Sequence, residues 1–243
     1  MMNFSKSWVI ANKDFSIFMK KKRILYTLII LPLIFSIILP LSIRSLTNET
    51  DPADVIALIN AFSYFYVILV YIQSTTLASY SILGEKIEQS LEPLLATPTT
   101  ESELLLGKTV ASFLPSVAII YANSVIFMVL IDLFTKTSFG YLFYPNWTMA
   151  FILLVVVPLS SIFSIQLNVI ISSRVNDVRT ANQLGFLMFL PFMGLYIPLV
   201  TNSLSLNIVN LTVLSFTILL IDIILFYISK STFNRDKILT KWK

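Results

Sequence analysis

The sequence predicts an all-α, polytopic membrane protein with six transmembrane helices, and three observations support that prediction. Of the 243 residues, 56% are hydrophobic and only 12% are charged, whereas soluble domains usually carry about 25% charged residues. Six stretches provide the roughly 20 mostly apolar residues that a spanning helix needs. The lysines and arginines fall almost entirely on one side of those stretches. The chain has five glycines and no low-complexity linker, so residues 1–243 are predicted to form a single membrane domain.

The first predicted element is an amphipathic helix within residues 1–23. Apolar residues recur there at spacings of four and three, and the lysines of this segment avoid their stripe. The stripe consists of Phe4, Trp8, Ala11, Phe15 and Phe18. Such a helix lies in the membrane interface with its apolar face toward the lipid. A membrane anchor and a docking element for a partner protein both fit the pattern.

Six predicted spans follow this helix. They cover residues 24–43, 55–83, 109–134, 148–172, 183–200 and 208–229. The second is long enough to tilt or to extend beyond the bilayer. The fifth is short and contains Gly185, Pro191, Gly194 and Pro198, so we expect it to be kinked or broken.

The distribution of Lys and Arg predicts the orientation of the spans. If the N-terminus is inside, every Lys and Arg except Arg44 and Lys136 falls in a cytoplasmic segment, in agreement with the positive-inside rule. Both termini are therefore predicted to be cytoplasmic in a multi-pass protein of the cell membrane. The basic tail, residues 230–243, would lie beside the anionic inner leaflet. The bilayer accounts for the net charge of +4, so no nucleic-acid partner is needed.

The longest polar interruption, residues 84–108, lies between spans two and three and is predicted to face the cytoplasm. Acidic residues spaced i, i+3 and i+7 share one helical face there, and apolar residues share another. The acidic face comprises Glu85, Glu88 and Glu92, and the apolar face comprises Ile87, Leu91, Leu94 and Leu95. Pro98 ends this helix, and a capping box of Thr100 and Glu103 predicts a new helix beginning at Glu101. A solvated connector resting on the membrane would show the same pattern.

Two stretches of the sequence resemble the signatures of ABC-2-type permeases. Residues 85–98 read E-K-I-E-Q-S-L-E-P-L-L-A-T-P and residues 103–108 read E-L-L-L-G-K, similar to the family's loop between spans two and three. Residues 171–185 resemble its cytoplasmic loop between spans four and five. Gln89 and Ser90 stand where the family usually has Gly-Thr. With the six spans and the leading amphipathic helix, the resemblance covers nearly the whole chain.

The resemblance implies that the chain is the membrane-spanning permease of an ATP-driven transporter, with export as the prevailing direction. The loop after span two would contain a coupling helix that contacts a separate ATP-binding subunit. The contact residues would be Glu85, Lys86, Glu88, Leu91, Glu92, Leu94 and Leu95. ATP and Mg would bind to that subunit, with no catalytic residue, cofactor or metal on this chain. A second permease chain, in a homodimer or a heterodimer, would complete the translocation pathway.

Other functions are disfavoured by the residues of the chain. It has no Cys and no His, which removes thiolate nucleophiles, Ser-His-Asp chemistry and zinc sites built on these residues. Residues 102–109, S-E-L-L-L-G-K-T, end like a phosphate-binding P-loop, but Ser102 replaces the first glycine and the segment continues into a span. An ion-coupled secondary carrier usually needs several buried ionisable groups. Such a carrier and a non-transporting membrane scaffold are the alternatives.

Polar residues inside the spans have two interpretations. Asp222 lies deep in span six, where an acid is a candidate functional site by default and a structural hydrogen bond to a neighbouring helix is an equal alternative. Asp132, near the outer end of span three, is predicted to be interfacial. The uncharged residues either line a pathway or join helices through hydrogen bonds, and we favour the second. They are Asn60, Gln73, Ser74, Thr75, Thr76, Gln166 and Asn168.

Overall fold

The computed structural model describes residues 4–46, 51–87, 100–175, 177–201, 203 and 205–232, and every regular element in these ranges is helical. Five helices are long and apolar enough to cross a membrane, and a bent pair would make a sixth span. The predicted all-α, polytopic fold is thereby confirmed. The helices are α1 Phe4–Lys20, α2 Lys22–Leu46, α3 Pro52–Ile87, α4 Glu101–Phe139, α5 Trp147–Ser172, α6 Val178–Leu187, α7 Leu190–Val200 and α8 Ile208–Thr232.

Helix α3 is the centre of the bundle. It packs against α2, α4, α5, α6 and α7. In the most apolar stretch of α3, 67% of the residues are buried, whereas the corresponding share in α8 is 22%. Buried aromatic residues of α3, Tyr64, Tyr66 and Tyr71, contribute to the main hydrophobic core. We call the end of the bundle that carries α1 the inner end and the opposite end the outer end, following the charge distribution.

Polar side chains of α3 and α5 join the helices inside the bundle. The hydroxyls of Ser74 and Ser161 lie 2.6 Å apart, and Asn168 Nδ2 donates to Thr75 O at 3.1 Å. Gln73 Nε2 donates to a backbone carbonyl of α2 at 2.7 Å. These bonds satisfy groups that hydrocarbon could not, so the hydrogen-bonding interpretation is confirmed for Gln73, Ser74 and Asn168.

Four of the predicted polar residues behave differently. The hydroxyl of Thr75 is buried and has no hydrogen-bond partner among the described residues. Thr76 donates to Ile72 O within its own helix at 2.9 Å. Asn60 Oδ1 and Gln166 Oε1 are buried and have no hydrogen-bond partner within the described part of the chain. These two side chains therefore do not join helices through their carbonyl oxygens.

Two spans are irregular, and both contain proline. The predicted break in span five is confirmed, because α6 and α7 meet at a bend of 42° just before Pro191. Span four contains a π-helical turn at Ile152–Val156, which was not predicted from the sequence. Pro158 follows this turn, and its missing N–H leaves a preceding carbonyl free, a condition under which helices often widen.

Helix α6 begins at a capped end and packs closely on α3. Asp177 accepts a hydrogen bond from Thr180 N at 3.1 Å, which lowers the pKa of the Asp177 carboxyl. One turn before the bend, a Cβ built on Gly185 would lie 2.5 Å from Thr75 Cγ2, and Tyr71 donates to Gly185 O at 2.9 Å. Glycine at this position therefore lets the two helices touch.

Asp132 organises the loop at the outer end. Its Oδ1 atom accepts hydrogen bonds from Phe143 N and Tyr144 N, both at 2.9 Å. The carboxylate thus holds residues that follow α4 against the end of that helix. Nearby, Arg44 lies over the Phe134 ring at 5.5 Å, a cation–π contact suited to an interfacial side chain.

Replacing Asp132 with leucine is expected to destabilise this loop, because two backbone N–H groups lose their acceptor. The expected loss is roughly 1–3 kcal/mol, visible as a lower thermal midpoint of the purified chain in detergent. Asp132→Asn retains a carbonyl oxygen at the same place and should lose much less. Equal midpoints for the two variants would show that the hydrogen bonds contribute little.

Candidate functional site: a buried charge cluster at the inner end

Helix α1 packs on the bundle with a face that carries a serine and an acid. The residues of this buried face are Ser7, Ile10, Ala11, Asp14 and Phe18. The predicted apolar stripe is therefore divided, since Ala11 and Phe18 are buried while Phe4 and Trp8 are 78% and 60% exposed. The bundle takes the neighbouring face because Asp14 finds polar partners there. The exposed aromatic residues remain free to enter a membrane interface.

A glycine allows α1 to approach the start of α4. A Cβ built on Gly107 would lie 2.8 Å from both Ser7 O and Ile10 Cβ, closer than packed atoms come. Any larger residue at this position must push the two helices apart. Gly107 therefore sets the distance between α1 and α4, and with it the position of the neighbouring Lys108.

Lys108 is the centre of a cluster of charged and polar side chains. It is 2% exposed, and its Nζ atom lies 2.6 Å from Glu85 Oε2 and 3.6 Å from Asp14 Oδ2. Nζ also donates to Ser81 O at 2.6 Å. Lys13 Nζ reaches Glu85 Oε1 at 2.8 Å, and Ser81 Oγ donates to Asp14 Oδ2 at 2.5 Å. We call Lys13, Asp14, Ser81, Glu85 and Lys108 the inner charge cluster.

The cluster is electrically balanced, with two cations against two anions. Buried charges are tolerated when they are paired and hydrogen-bonded, and removing one member of a buried pair is strongly destabilising because the other is left uncompensated. The five residues come from α1, from the end of α3 and from the start of α4. Their ion pairs therefore connect α1, α3 and α4, although α2 lies between α1 and α3 in the sequence.

Members of the cluster lie on both sides of residues 88–99 in the sequence, a segment outside the described residues. Glu85 lies three residues before the segment, and Lys108 lies after it on α4. The predicted capping box is confirmed: Thr100 Oγ1 accepts from Glu103 N at 3.3 Å, Thr100 N donates to Glu103 Oε2 at 2.9 Å, and α4 begins at Glu101. The two ends of the segment are thus held to each other and to α1.

The structure differs from the sequence-based expectation at Glu85. This residue was expected to contact another subunit, but its carboxylate is buried and directed at Lys108 and Lys13. Lys86 belongs to α3, and its side chain lies outside the described part. The remaining expected contact residues, Glu88, Leu91, Glu92, Leu94 and Leu95, also lie outside the described residues. Their contact with a partner stays a prediction.

Sequence reasoning missed the contribution of Lys13, Asp14 and Ser81 to this site. Gly107 and Lys108 were noticed only as part of a motif. One signal was available: Asp14 follows four residues after Ile10 and three after Ala11, which places an acid on the helical face that packs. An acid on a packed face requires a partner from another element.

A second unusual group lies in α8. One stripe of this helix is buried at spacings of four and three, and the rest is largely exposed. The stripe consists of Leu211, Ser215, Ile218, Asp222, Leu225 and Ser229. Asp222 is 6% exposed, and neither carboxylate oxygen has a hydrogen-bond partner among the described residues. The predicted alternative, a structural hydrogen bond from Asp222 to a neighbouring helix, is therefore not found among the described residues.

The described residues contain no group of three or more His, Cys, Asp and Glu side chains that could hold a metal ion. The chemistry available at the inner end is thus that of ion pairs and hydrogen bonds, which can hold elements together and transmit movement between them.

Comparison with known proteins identifies a family for this chain. A family model described as ABC-2 family transporter protein matches residues 8–231, which includes α1 from its fifth residue onward, the whole of residues 84–108 and all candidate spans. No curated protein matches the chain.

Proposed function

Because the chain belongs to the ABC-2 family of transporter proteins, we propose that it is the permease of an ATP-driven exporter whose separate ATP-binding subunit docks at residues 84–99. Family membership makes the chain a membrane component of an ABC transporter, and such a permease pairs with an ATP-binding subunit. We add three statements to family membership: the docking segment, the direction of transport and the means of coupling.

The observation that carries the proposal is the contact of Lys108 with Glu85 at 2.6 Å and with Asp14 at 3.6 Å. A force applied to residues 88–99 would reach α3 through Glu85 and α4 through the capped end at Thr100. The ion pairs would pass the same force to α1. A docking segment connected in this way moves two central spans and the interfacial helix as one unit, which is what coupling to an ATPase requires.

The proposal places the inner end in the cytoplasm of the cell, with both termini on that side and the outer loop outside. ATP and Mg would be held by the partner subunit, and two permease chains, alike or different, would flank the pathway. The concentration of Lys and Arg at the inner end supports this orientation. Export is an inference from the family's prevailing direction.

The docking segment can be tested by affinity purification of the tagged chain from its native membrane. We expect Leu91→Glu or Glu88→Lys to abolish recovery of the ATP-binding subunit, because each places the wrong chemistry on a predicted contact face. The eluate is analysed by mass spectrometry and for vanadate-sensitive ATP hydrolysis. Glu49→Lys makes the same charge change in a predicted outer loop and serves as the control.

Two results would overturn the docking proposal. The first is undiminished recovery of an ATPase with both Leu91→Glu and Glu88→Lys. The second is a native chain that purifies alone in several mild detergents and in nanodiscs, which would favour a scaffold or an ion-coupled carrier.

A further inference from the structure

A cavity of about 340 Å³ lies between the start of α4 and the ends of α5 and α8. Its volume is within the roughly 300–1,000 Å³ range of small-molecule sites. Among the described residues, the lining contains no charged side chain and is mostly apolar, with Leu105, Val169 and Phe226 as examples. Phe226 is 48% exposed, and its neighbours Ile223 and Tyr227 are exposed as well. The cavity therefore opens on an apolar surface of the kind that faces lipid.

The side chain of Gln166 lines this cavity and has no protein partner in the described part of the chain. The residue is 9% exposed, and its Oε1 atom is buried without a hydrogen bond. Its Nε2 atom also makes no hydrogen bond to a described residue, and unlike Oε1 it is not fully covered. An amide without partners in apolar surroundings costs free energy, a cost that leucine, of similar size, would avoid. Gln166 thus offers the cavity an N–H donor that the described residues leave unused.

Two hydroxyl groups of the lining add hydrogen-bond acceptors. Thr109 Oγ1 donates its proton to Leu105 O at 2.8 Å, and Ser229 Oγ donates to Gln166 O at 3.2 Å. A hydroxyl group whose proton is used in this way still has lone pairs that can accept. The second bond also holds Ser229 of α8 beside Gln166 of α5. The lining therefore combines an unused donor and two hydroxyl acceptors with an otherwise apolar wall.

We propose that this cavity is a binding site for a compact, uncharged hydrophobic alcohol that enters from the bilayer. The hydroxyl group of such a molecule accepts a hydrogen bond from Gln166 Nε2, and it can donate to the hydroxyl oxygen of Thr109 or Ser229. The apolar body of the alcohol fills the rest of the wall. The site does not depend on an ATP-binding subunit, so its test stands apart from the test of the docking segment.

Other occupants fit the cavity less well. The acyl chain of a phospholipid would fill the apolar part but leave Gln166 Nε2 without an acceptor. An ion would lose its hydration without meeting an opposite charge, because no charged residue of the described chain lines the cavity. A helix of a second copy is about 10–12 Å wide with its side chains, which is too wide to enter a space of 340 Å³.

The binding test uses the full chain in nanodiscs and azioctanol, a medium-chain alcohol with a photoreactive diazirine. After illumination, peptide mass spectrometry should find the label on residues 102–109, 162–169 and 226–229, the three segments that line the cavity. Octan-1-ol should displace this label at a membrane mole fraction roughly tenfold below that of octane, which has the same chain without the hydroxyl. A difference of this size is expected when a buried donor loses its acceptor.

Two variants and a control test the residues of the cavity. Gln166→Leu removes the donor and should make octan-1-ol and octane equally effective, and its thermal midpoint should not fall, because an unpaired amide is removed. Thr109→Phe fills part of the cavity and should abolish the displaceable label. Val213→Phe adds the same ring at a position of α8 that is 61% exposed and does not line the cavity, so the label should remain.

Several results would overturn this proposal. Label spread evenly over the exposed faces of all spans, with no displaceable fraction on the three segments, would indicate a membrane solute without a site. Equal displacement by octan-1-ol and octane in the native chain would indicate a groove for acyl chains. A tenfold preference for the alcohol that persists in Gln166→Leu, or equal effects of Thr109→Phe and Val213→Phe, would place the alcohol elsewhere. A clearly lower thermal midpoint of Gln166→Leu would assign the amide a structural role.

Discussion

Replacing Lys108 with methionine is expected to lower the free energy of unfolding by roughly 3–5 kcal/mol, because removal of one partner leaves buried charge uncompensated. The cation contacts Glu85 and Asp14 together, whereas Lys13 pairs with Glu85. Within the described part of the chain, Asp14 would then keep the hydroxyl of Ser81 as its side-chain partner. The effect is measured as the thermal midpoint of the purified chain and as its yield from membranes.

The choice of second substitution makes this prediction specific. Lys108→Met with Asp14→Asn removes one charge of each sign and leaves the Lys13–Glu85 pair intact, so most of the lost stability should return. Lys108→Met with Glu85→Gln removes the same net charge but leaves Asp14 buried, and should recover less. Lys20→Met, at an exposed position near the end of α1, is the control and should change little. Equal recovery by the two double variants would show that Asp14 does not need Lys108.

The spans could be predicted from sequence because their signals are local. A spanning helix is defined by the length of an apolar run, and the bend between α6 and α7 follows from Pro191 and its neighbours. The capping box at Thr100 and Glu103 depends on two residues three positions apart. Each of these features is determined within one segment, so the pattern of that segment contains the information needed.

The inner charge cluster could not be predicted in this way because its members are far apart in the sequence. Lys13 and Glu85 are separated by 72 positions, and Asp14 and Ser81 by 67. Periodicity placed Glu85 on a common face with Glu88 and Glu92, but it contains no information about Lys108. Only the packing of α1 against the start of α4 shows that this glutamate is directed inward.

For Asp222, the sequence identified the residue as unusual but could not predict its surroundings. Its position in an apolar run indicated an unusual acid, and two interpretations were equal at that point. Distinguishing them required knowledge of every atom within reach of the carboxylate. The structure supplies the hydrogen-bonding part of that knowledge, since neither carboxylate oxygen of Asp222 has a hydrogen-bond partner among the described residues.

Introducing leucine at Gly107 is expected to separate α1 from the bundle while the spans stay folded. The first atom of the new side chain would lie 2.8 Å from Ser7 O, which belongs to the backbone and cannot rotate away. Gly84, close to the cluster on α3, has nothing within 4 Å of the corresponding position. Gly84→Leu is therefore the matched control, with the same substitution near the same end of the bundle.

The absence of native cysteine makes the separation measurable. Ala11→Cys puts a thiol on the packed face of α1, where Ala11 is 4% exposed, and maleimide should label it slowly in the otherwise native chain and in Gly84→Leu. Overpacking costs ~1–3 kcal/mol. This free energy corresponds to roughly a 5- to 150-fold rise in the labelled fraction per unit time, which is expected only with Gly107→Leu.

Because a detached α1 also removes Asp14 from Lys108, the same variant should lose coupling to the ATPase more than docking of the ATPase at the proposed segment, residues 84–99. Slow labelling in Gly107→Leu would mean that α1 and α4 do not pack through this glycine, and the path proposed for the force would then lack one of its three helices.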